Sequence, residues 1–522
     1  MTNSPQPNTQ RLARLLFVAA GVGFMCVVFL LLLAASMAKE LSHDEHMYVM
    51  GGALLAEKLQ VPYRDFPYLQ MPNLAFVYAG LFSLLGPSGY FLLEARVFST
   101  LCATTGLGLI FVMVTGALGG LPYRWRFLAA AGSVAAIMAN PVFRYASGQA
   151  WNHDASVLLA LSAFVALYSS ARRGWHAGWT VLGGALLGLA VGTRLTFAFV
   201  VPVFLAAVLV YPTLAGTKVG WKDRLRPLLT FGDGLALGLA PSLVAFFMAP
   251  RQFLFGNIEY HEVNALFWQK VGYDRTMDVA GKLDYLWDVV AQPANLVLAV
   301  GSLTLLVAGL VTRRGAGTPW RFELLFAGAL LPAILLGALA PTPSWYQYFY
   351  ALVPFMVLVA ACGAATLYQG ARWALGGFGL MLVLAVGLGQ PGYSLRGLSD
   401  PARWVPVQAH ELGLEVSRHA GSGKVLTFAP IYAVEGGSDI YDLLAVGPFV
   451  WRSGSLLEPA DRRDLGLPSH DEFARLLAQE PPGAILTGFE GGLEAPWIEF
   501  ARERGYEMVR LPGEKVLWLL KR

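Results

Sequence analysis

Ser42-His43-Asp44-Glu45 sets a histidine and two adjacent carboxylates just beyond the first long apolar run, and the same four letters return at Ser469-His470-Asp471-Glu472. Carboxylates of this kind can take a proton from a hydroxyl or help to hold a divalent cation. Each copy also meets a purely local rule. Serine followed three residues later by glutamate is a capping box, in which the serine oxygen takes a backbone N–H of the first helical turn and the glutamate reaches back to the cap. In the second copy Pro468 precedes the motif and Phe473, Leu476 and Leu477 continue as one helix face, so it reads as a helix start alone. In the first copy the two readings are compatible, because Ser42 can begin a helix that aims Asp44.

Other clusters carry weaker signals. Asp154, in Trp151-Asn152-His153-Asp154, suits a metal ligand or, with Asn152, a helix cap. Arg194 stands at a turn between two apolar runs, which fits a phosphate contact or an interfacial anchor. Glu259-Tyr260-His261-Glu262 has ligand-type side chains, but chain neighbours seldom converge on one ion without a turn, so a solvated helix face is expected. Arg64 and Asp65 are placed to pair with each other. Tyr346, Tyr348 and Tyr350 suit an aromatic belt as well as a sugar platform. Gly491-Gly492 lacks the spacing of a phosphate loop and is given no role.

The elements that must position these residues are set by hydrophobicity. Of the 522 residues, 56% are hydrophobic and only 14% charged, which marks an integral membrane protein. Apolar runs predict eleven membrane helices, near 15–37, 92–117, 127–143, 154–170, 178–193, 195–211, 228–249, 291–312, 322–340, 349–369 and 372–390. The first run is too long for a signal peptide's apolar region and is expected to remain as an anchor. Arginines and lysines (Arg124 and Arg126; Arg172 and Arg173; Lys218, Lys222, Arg224 and Arg226; Arg313, Arg314 and Arg321; Arg372) follow every second helix. The positive-inside rule makes those connections cytoplasmic, with the N-terminus. Residues 38–91, 250–290 and everything beyond about 391 are then extracytoplasmic.

The first outer loop is expected to hold two interfacial helices joined by the ordered stretch VPYRDFPYLQMPN, although Gly51 and Gly52 weaken the first helix. After a linker at 391–406, residues 407–522 have the composition of a small soluble α/β domain. Strands are expected near 424–430, 483–489, 506–510 and 515–520, with helices at 470–478 and 496–504 between them. Cys26, Cys102 and Cys362 lie in apolar segments with no metal-ligand spacing and read as core residues. The net charge of +4 is not gathered on one basic face, so no nucleic-acid partner is expected.

The order of features in the first half carries a resemblance. One membrane helix is followed by Asp44-Glu45, with Tyr48 shortly after, then a glycine-containing helix and VPYRDFP. An apolar stretch ending at Leu85-Gly86 comes next, and Glu94-Ala95-Arg96 opens the second span. This pattern resembles the GT-C class of membrane glycosyltransferases, the class of protein O-mannosyltransferases and lipid A aminoarabinose transferases. The resemblance is best over residues 10–200. It implies an all-α polytopic membrane domain over 1–390 and a donor that is a polyprenyl-phosphate sugar, moved to an extracytoplasmic glycolipid, polysaccharide or protein.

Such a transfer needs a base for the acceptor proton and positive charge or a metal for the departing lipid phosphate. The resemblance implies Asp44 as the base, with Glu45 beside it, and inversion at the anomeric carbon. It implies Arg96 at the donor phosphate, joined by Arg194, and Tyr48, Arg64, Tyr346 and Tyr348 as donor or acceptor contacts. It also allows a divalent metal ion, Mg or Mn, between Asp44 and Asp154, and makes no cofactor certain. The rival class is a transporter or lipid flippase of the cell envelope. Its usual internal repeat and mid-helix charges are not visible.

Overall fold

The computed structural model describes residues 7–86, 89–214, 220–312, 320–368, 371–390 and 392–520. Lys218, Arg313, Arg314 and Pro391, used above for topology and the linker boundary, lie outside these residues. The first span, α1 (Pro7–Ala38), leads to α2 (His43–Lys58) and α3 (Asn73–Leu85) in the first loop. Then come α4 (Phe91–Ala117), α5 (Tyr123–Ala139), the short α6 (Pro141–Ala146), α7 (Asn152–Arg172) and α8 (Ala177–Thr193). A 3-10 turn at Leu195–Val200 enters α9 (Val201–Leu214), and α10 (Trp221–Met248) leads into the next long loop. That loop carries α11 (Pro250–Leu254), α12 (Tyr260–Lys270) and α13 (Val279–Val290). The bundle is completed by α14 (Pro293–Val311), α15 (Arg321–Leu339), α16 (Leu352–Tyr368) and α17 (Trp373–Gly387).

Each of the eleven predicted spans coincides with a helix. Among the described residues, 7 helices are long and apolar enough to cross a membrane. They are α1, α4, α7, α10, α14, α15 and the Tyr346–Tyr368 segment that contains α16. The helices α5, α8, α9 and α17 are shorter.

Small residues decide two packings that bear on the site. Gly51 and Gly52, which weaken α2 as an isolated helix, are where α2 meets its neighbours. A Cβ on Gly51 would strike Tyr68 and Ala75, and one on Gly52 would strike Tyr78. In the bundle, Gly184 and Gly188 of α8 face Gly234 and Gly238 of α10, and a Cβ on any of the four would collide with backbone of the other helix. Two reciprocal G-x-x-x-G stripes thus bring the helix backbones together. This packing fixes the end of α8, from which Arg194 emerges.

The C-terminal part contains α18 (Val405–Ala420), β1 (Val425–Leu426), α19 (Pro430–Glu435), α20 (Phe449–Gly454), α21 (Pro459–Leu465) and α22 (His470–Gln479). Beyond these lie β2 (Ala484–Thr487), α23 (Ala495–Glu503), β3 (Glu507–Arg510) and β4 (Val516–Leu519). The sheet order is β1-β2-β4-β3, with β1 parallel to β2 and the other pairs antiparallel. All four expected strands and both expected helices are present. Helix α18 is an addition, although Pro406 opens it and its apolar residues recur with helical period. Phe428, Trp451, Phe473 and Trp497 form an aromatic core beneath the sheet. Ser469 does what its motif requires: Ser469 N–H donates to Glu472 at 2.7 Å, and Ser469 Oγ accepts from Glu472 N–H at 3.3 Å.

This domain is latched to the bundle by a buried pair. Glu435 accepts from Leu92 N–H at the start of α4 (2.7 Å), and His410 Nδ1 lies 3.2 Å from Glu435 and 2.8 Å from Gly89 O. Burial pushes the Glu435 carboxyl up to about 7, and the hydrogen bond to Glu435 raises His410 above the ordinary histidine value. Both groups therefore hold protons more tightly when docked than when released. Docking should weaken as pH rises from about 4.5 through about 7, the span between the ordinary and the raised Glu435 values, since the released state binds fewer protons across that window. Hydrogen exchange at Leu92 and along α18 checks this: protection falls with rising pH in the native protein, and Glu435→Gln flattens the slope.

Candidate active site

Although neighbours in sequence, Asp44 and Glu45 have separate surroundings. Consecutive helical residues point about 100° apart, so the first turn of α2 sends one carboxylate inward and the other to the side. Glu45 is 0% exposed. One of its oxygens accepts from Arg96 Nε at 2.8 Å and Ala150 N–H at 2.7 Å; the other accepts from Arg96 Nη2 at 2.7 Å and Ser42 N–H at 3.0 Å.

Arg96, also 0% exposed, spends its remaining N–H groups on the carbonyls of Ser36 (2.9 Å), Lys39 (2.8 Å) and Glu40 (3.1 Å). All five guanidinium donors are thereby used. The roles expected for these two residues are corrected: neither borders the cavity described next, Arg96 has no N–H left for a phosphate, and Glu45 has no free acceptor site. Together they fasten α1, α2, α4 and the 140–151 connection. Lys39 reinforces the same junction by donating to the carbonyls of Arg144 (2.6 Å), Tyr145 (2.9 Å) and Ser147 (2.6 Å).

Asp44 faces a cavity of about 280 Å³ between the bundle and the C-terminal domain. Its side chain keeps 30% of its exposure, and His43 Nε2 lies 3.7 Å from one of its oxygens. Among the described residues no other carboxylate lines this cavity. Tyr48, one helical turn further along α2, contributes to the same wall.

Arg194 borders the cavity from the bundle side. It is 9% exposed, hydrogen-bonds Thr196 Oγ1 at 3.0 Å, contacts the His153 ring, and sits with its guanidinium carbon 4.8 Å from the centre of the Tyr348 ring. Among the described residues no carboxylate lies within ion-pair distance of it. A buried cation with only neutral neighbours is costly unless an anion joins it. Two further polar side chains line the wall. Trp151 has a buried indole N–H without a partner among the described residues. Burial, and then Arg194, hold His261 below the ordinary histidine range, which keeps it neutral.

The other expected contacts lie elsewhere. Tyr346 turns away to donate to Gln292 at 2.7 Å, while Tyr348 lines the cavity. Arg64 is tied to Asp65 through two hydrogen bonds (2.9 and 2.6 Å) and borders a different crevice, so it is removed from the donor and acceptor contacts. Glu259 pairs with Arg251, whereas Tyr260 and His261 of the same motif line the cavity.

Asp154 is buried away from the cavity; its two oxygens accept from Gly148 N–H (2.7 Å) and Tyr350 O–H (2.7 Å). It does not join Asp44, and among the described residues no three His, Cys, Asp or Glu side chains gather as a metal site. The pairing of Asp44 with Asp154 therefore does not fit a shared divalent ion. The reading of single motifs also missed Trp268, Trp345, Phe449 and Arg452, which complete the walls. The first two belong to aromatic stretches that resemble a membrane belt, and no spacing marks the last two.

A polytopic helical bundle whose first-loop helices and C-terminal α/β part enclose a cavity at one end is a fold already seen in solved structures. Two solved proteins share it. ArnT from Cupriavidus metallidurans bound to undecaprenyl phosphate is similar with a TM-score of 0.58 and 17% identity, over 97% of this chain and 98% of that one. The Archaeoglobus fulgidus oligosaccharyltransferase is similar in its apo form with a TM-score of 0.51 and 11% identity, over 96% and 74% of the two chains. Its complex with an inhibitory peptide and a dolichol-phosphate gives 0.50 and 12%. No family model and no curated protein sequence matches the chain.

Proposed function

We propose that the protein is an integral membrane glycosyltransferase that moves a sugar from a polyprenyl-phosphate carrier to an extracytoplasmic acceptor. The observation that carries this reading is the pairing, on one cavity, of a free carboxylate, Asp44, with a buried arginine lacking a carboxylate partner, Arg194. Asp44 takes the proton from the acceptor hydroxyl. The oxygen attacks the anomeric carbon opposite the phosphate, the bond from that carbon to the phosphate oxygen breaks with its electron pair, and the configuration inverts. Arg194, held against Tyr348, meets the charge that grows on the departing lipid phosphate. Tyr48 and His261 contribute polar contacts around the sugar.

The fold supports the donor assignment, since the similar ArnT structure is bound to undecaprenyl phosphate and the similar oligosaccharyltransferase to a dolichol-phosphate. The arginine-rich connections support a multi-pass protein of the cytoplasmic membrane, with a cytoplasmic N-terminus and the C-terminal domain outside. Among the described residues nothing favours the transporter alternative.

The full chain in nanodiscs, titrated with undecaprenyl phosphate, tests the donor site. A hydrogen bond to a charged group contributes about 1.5–3 kcal/mol, so Arg194→Gln is expected to weaken binding by roughly ten- to a hundred-fold. Arg194→Lys should recover part of that loss. Unchanged binding by Arg194→Gln would remove Arg194 from the donor site. Absence of any turnover of radiolabelled polyprenyl-phosphate sugars would count against the enzyme itself.

A further inference from the structure

Two guanidinium groups reach the cavity from opposite sides. Arg194 approaches it from the bundle, and a second guanidinium, Arg452, enters from α20 of the C-terminal domain. Arg452 is 8% exposed and boxed by rings, with its guanidinium carbon 5.4 Å from the centre of Phe267, 5.7 Å from Trp268 and 5.5 Å from Phe449. Its ion pair uses one corner of the fork only, Nη2 to Glu490 at 2.6 Å. Nε is buried and, among the described residues, has no hydrogen-bond partner.

A docking arginine would be expected to turn its two parallel N–H groups onto the carboxylate. Here one donor stays unused in a side chain that lines a cavity whose one carboxylate, among the described residues, is Asp44. The same wall carries Trp268, Trp345 and Phe449, whose flat faces suit the C–H faces of a sugar ring.

We infer that Arg452 is an acceptor-side anion contact, and that the acceptor is an anionic sugar whose charged group is held by Arg452 while Asp44 deprotonates its hydroxyl. This rests on the transferase reading and adds the acceptor's class to it. Arg194 and Arg452 then divide the work. The first holds the phosphate that leaves with the lipid, and the second holds a charge that stays on the product. The proton passes to Asp44, the acceptor oxygen bonds to the anomeric carbon, and the electron pair of the broken bond remains on the lipid phosphate.

The full chain in nanodiscs would be titrated with glucose 6-phosphate, glucuronate, glucose and inorganic phosphate, and separately with undecaprenyl phosphate. The native protein is expected to bind glucose 6-phosphate or glucuronate at least about tenfold more tightly than glucose, the loss of one charged hydrogen bond. The sugar that wins identifies the charged group as phosphate or carboxylate. Inorganic phosphate alone should bind weakly, because it has no ring to place on the tryptophans.

Arg452→Gln should reduce the anionic preference below about twofold while leaving undecaprenyl phosphate affinity within about twofold. Glu490→Gln, which removes the competing carboxylate and keeps the arginine, should tighten anionic-sugar binding severalfold. Three results would overturn the inference: no preference for an anionic sugar in the native protein, an unchanged preference in Arg452→Gln, or weaker anionic-sugar binding in Glu490→Gln. A parallel loss of undecaprenyl phosphate binding in Arg452→Gln and Arg194→Gln would overturn it as well, by placing both arginines on the donor. Failure of the native chain to bind undecaprenyl phosphate would strike the transferase reading and leave the sugar arms readable on their own.

Discussion

Asp44→Asn is expected to slow sugar transfer by roughly a hundred- to ten-thousand-fold, the range over which a positioned general base contributes. Asparagine keeps the size and the hydrogen-bonding shape of the side chain but cannot take a proton. Because Asp44 is partly exposed and caps no buried charge, the variant should fold as the native protein does and bind undecaprenyl phosphate with unchanged affinity. Release of radiolabelled sugar from a polyprenyl-phosphate donor, measured beside binding of undecaprenyl phosphate, separates the two effects. A variant that transfers sugar at the native rate would remove Asp44 from the chemistry.

Glu45→Gln, one residue away, should fail in a different manner. The glutamate neutralises Arg96 in a site where both are 0% exposed, and taking away its charge leaves an uncompensated guanidinium in a dry junction. Breaking a buried pair from one side costs about 3–5 kcal/mol. A lower thermal midpoint and a lower yield of folded protein are the expected readouts, with activity lost through unfolding rather than at constant stability. Converting both partners, Glu45→Gln with Arg96→Met, should recover part of the loss, since no charge is then stranded. If Glu45→Gln proves as stable as the native protein and inactive, the carboxylate acts in catalysis and the structural assignment of the pair is wrong.

These two outcomes mark how far residue order leads. The capping box at Ser42 is legible because a cap is a matter of spacing within one turn, and the glutamate it employs is the one that ends up buried. That Asp44 remains free could be read from the same turn, since neighbouring helical positions diverge. That Arg96 would meet Glu45 and not a phosphate could not be read, because the partners are 51 residues apart and meet through the packing of α1, α2 and α4. Asp154 failed as a partner of Asp44 for a related reason: Gly148 and Tyr350, the latter 196 residues away, satisfy its oxygens first.

By itself, the sequence determined the membrane class, the helical spans, the strands of the C-terminal part and the cap at Ser42 that starts α2. Each of these follows from local periodicity, run length or cap chemistry, which act within a few residues. The tertiary structure alone decided which charges are spent and which are left. It gave Arg194 neutral side chains as direct contacts and Arg96 a carboxylate with three carbonyls. It also carried Phe449 and Arg452 from a separate domain into the cavity. Buried charge is settled by whatever three-dimensional packing places within hydrogen-bond reach, and that neighbourhood is not written in the order of the residues.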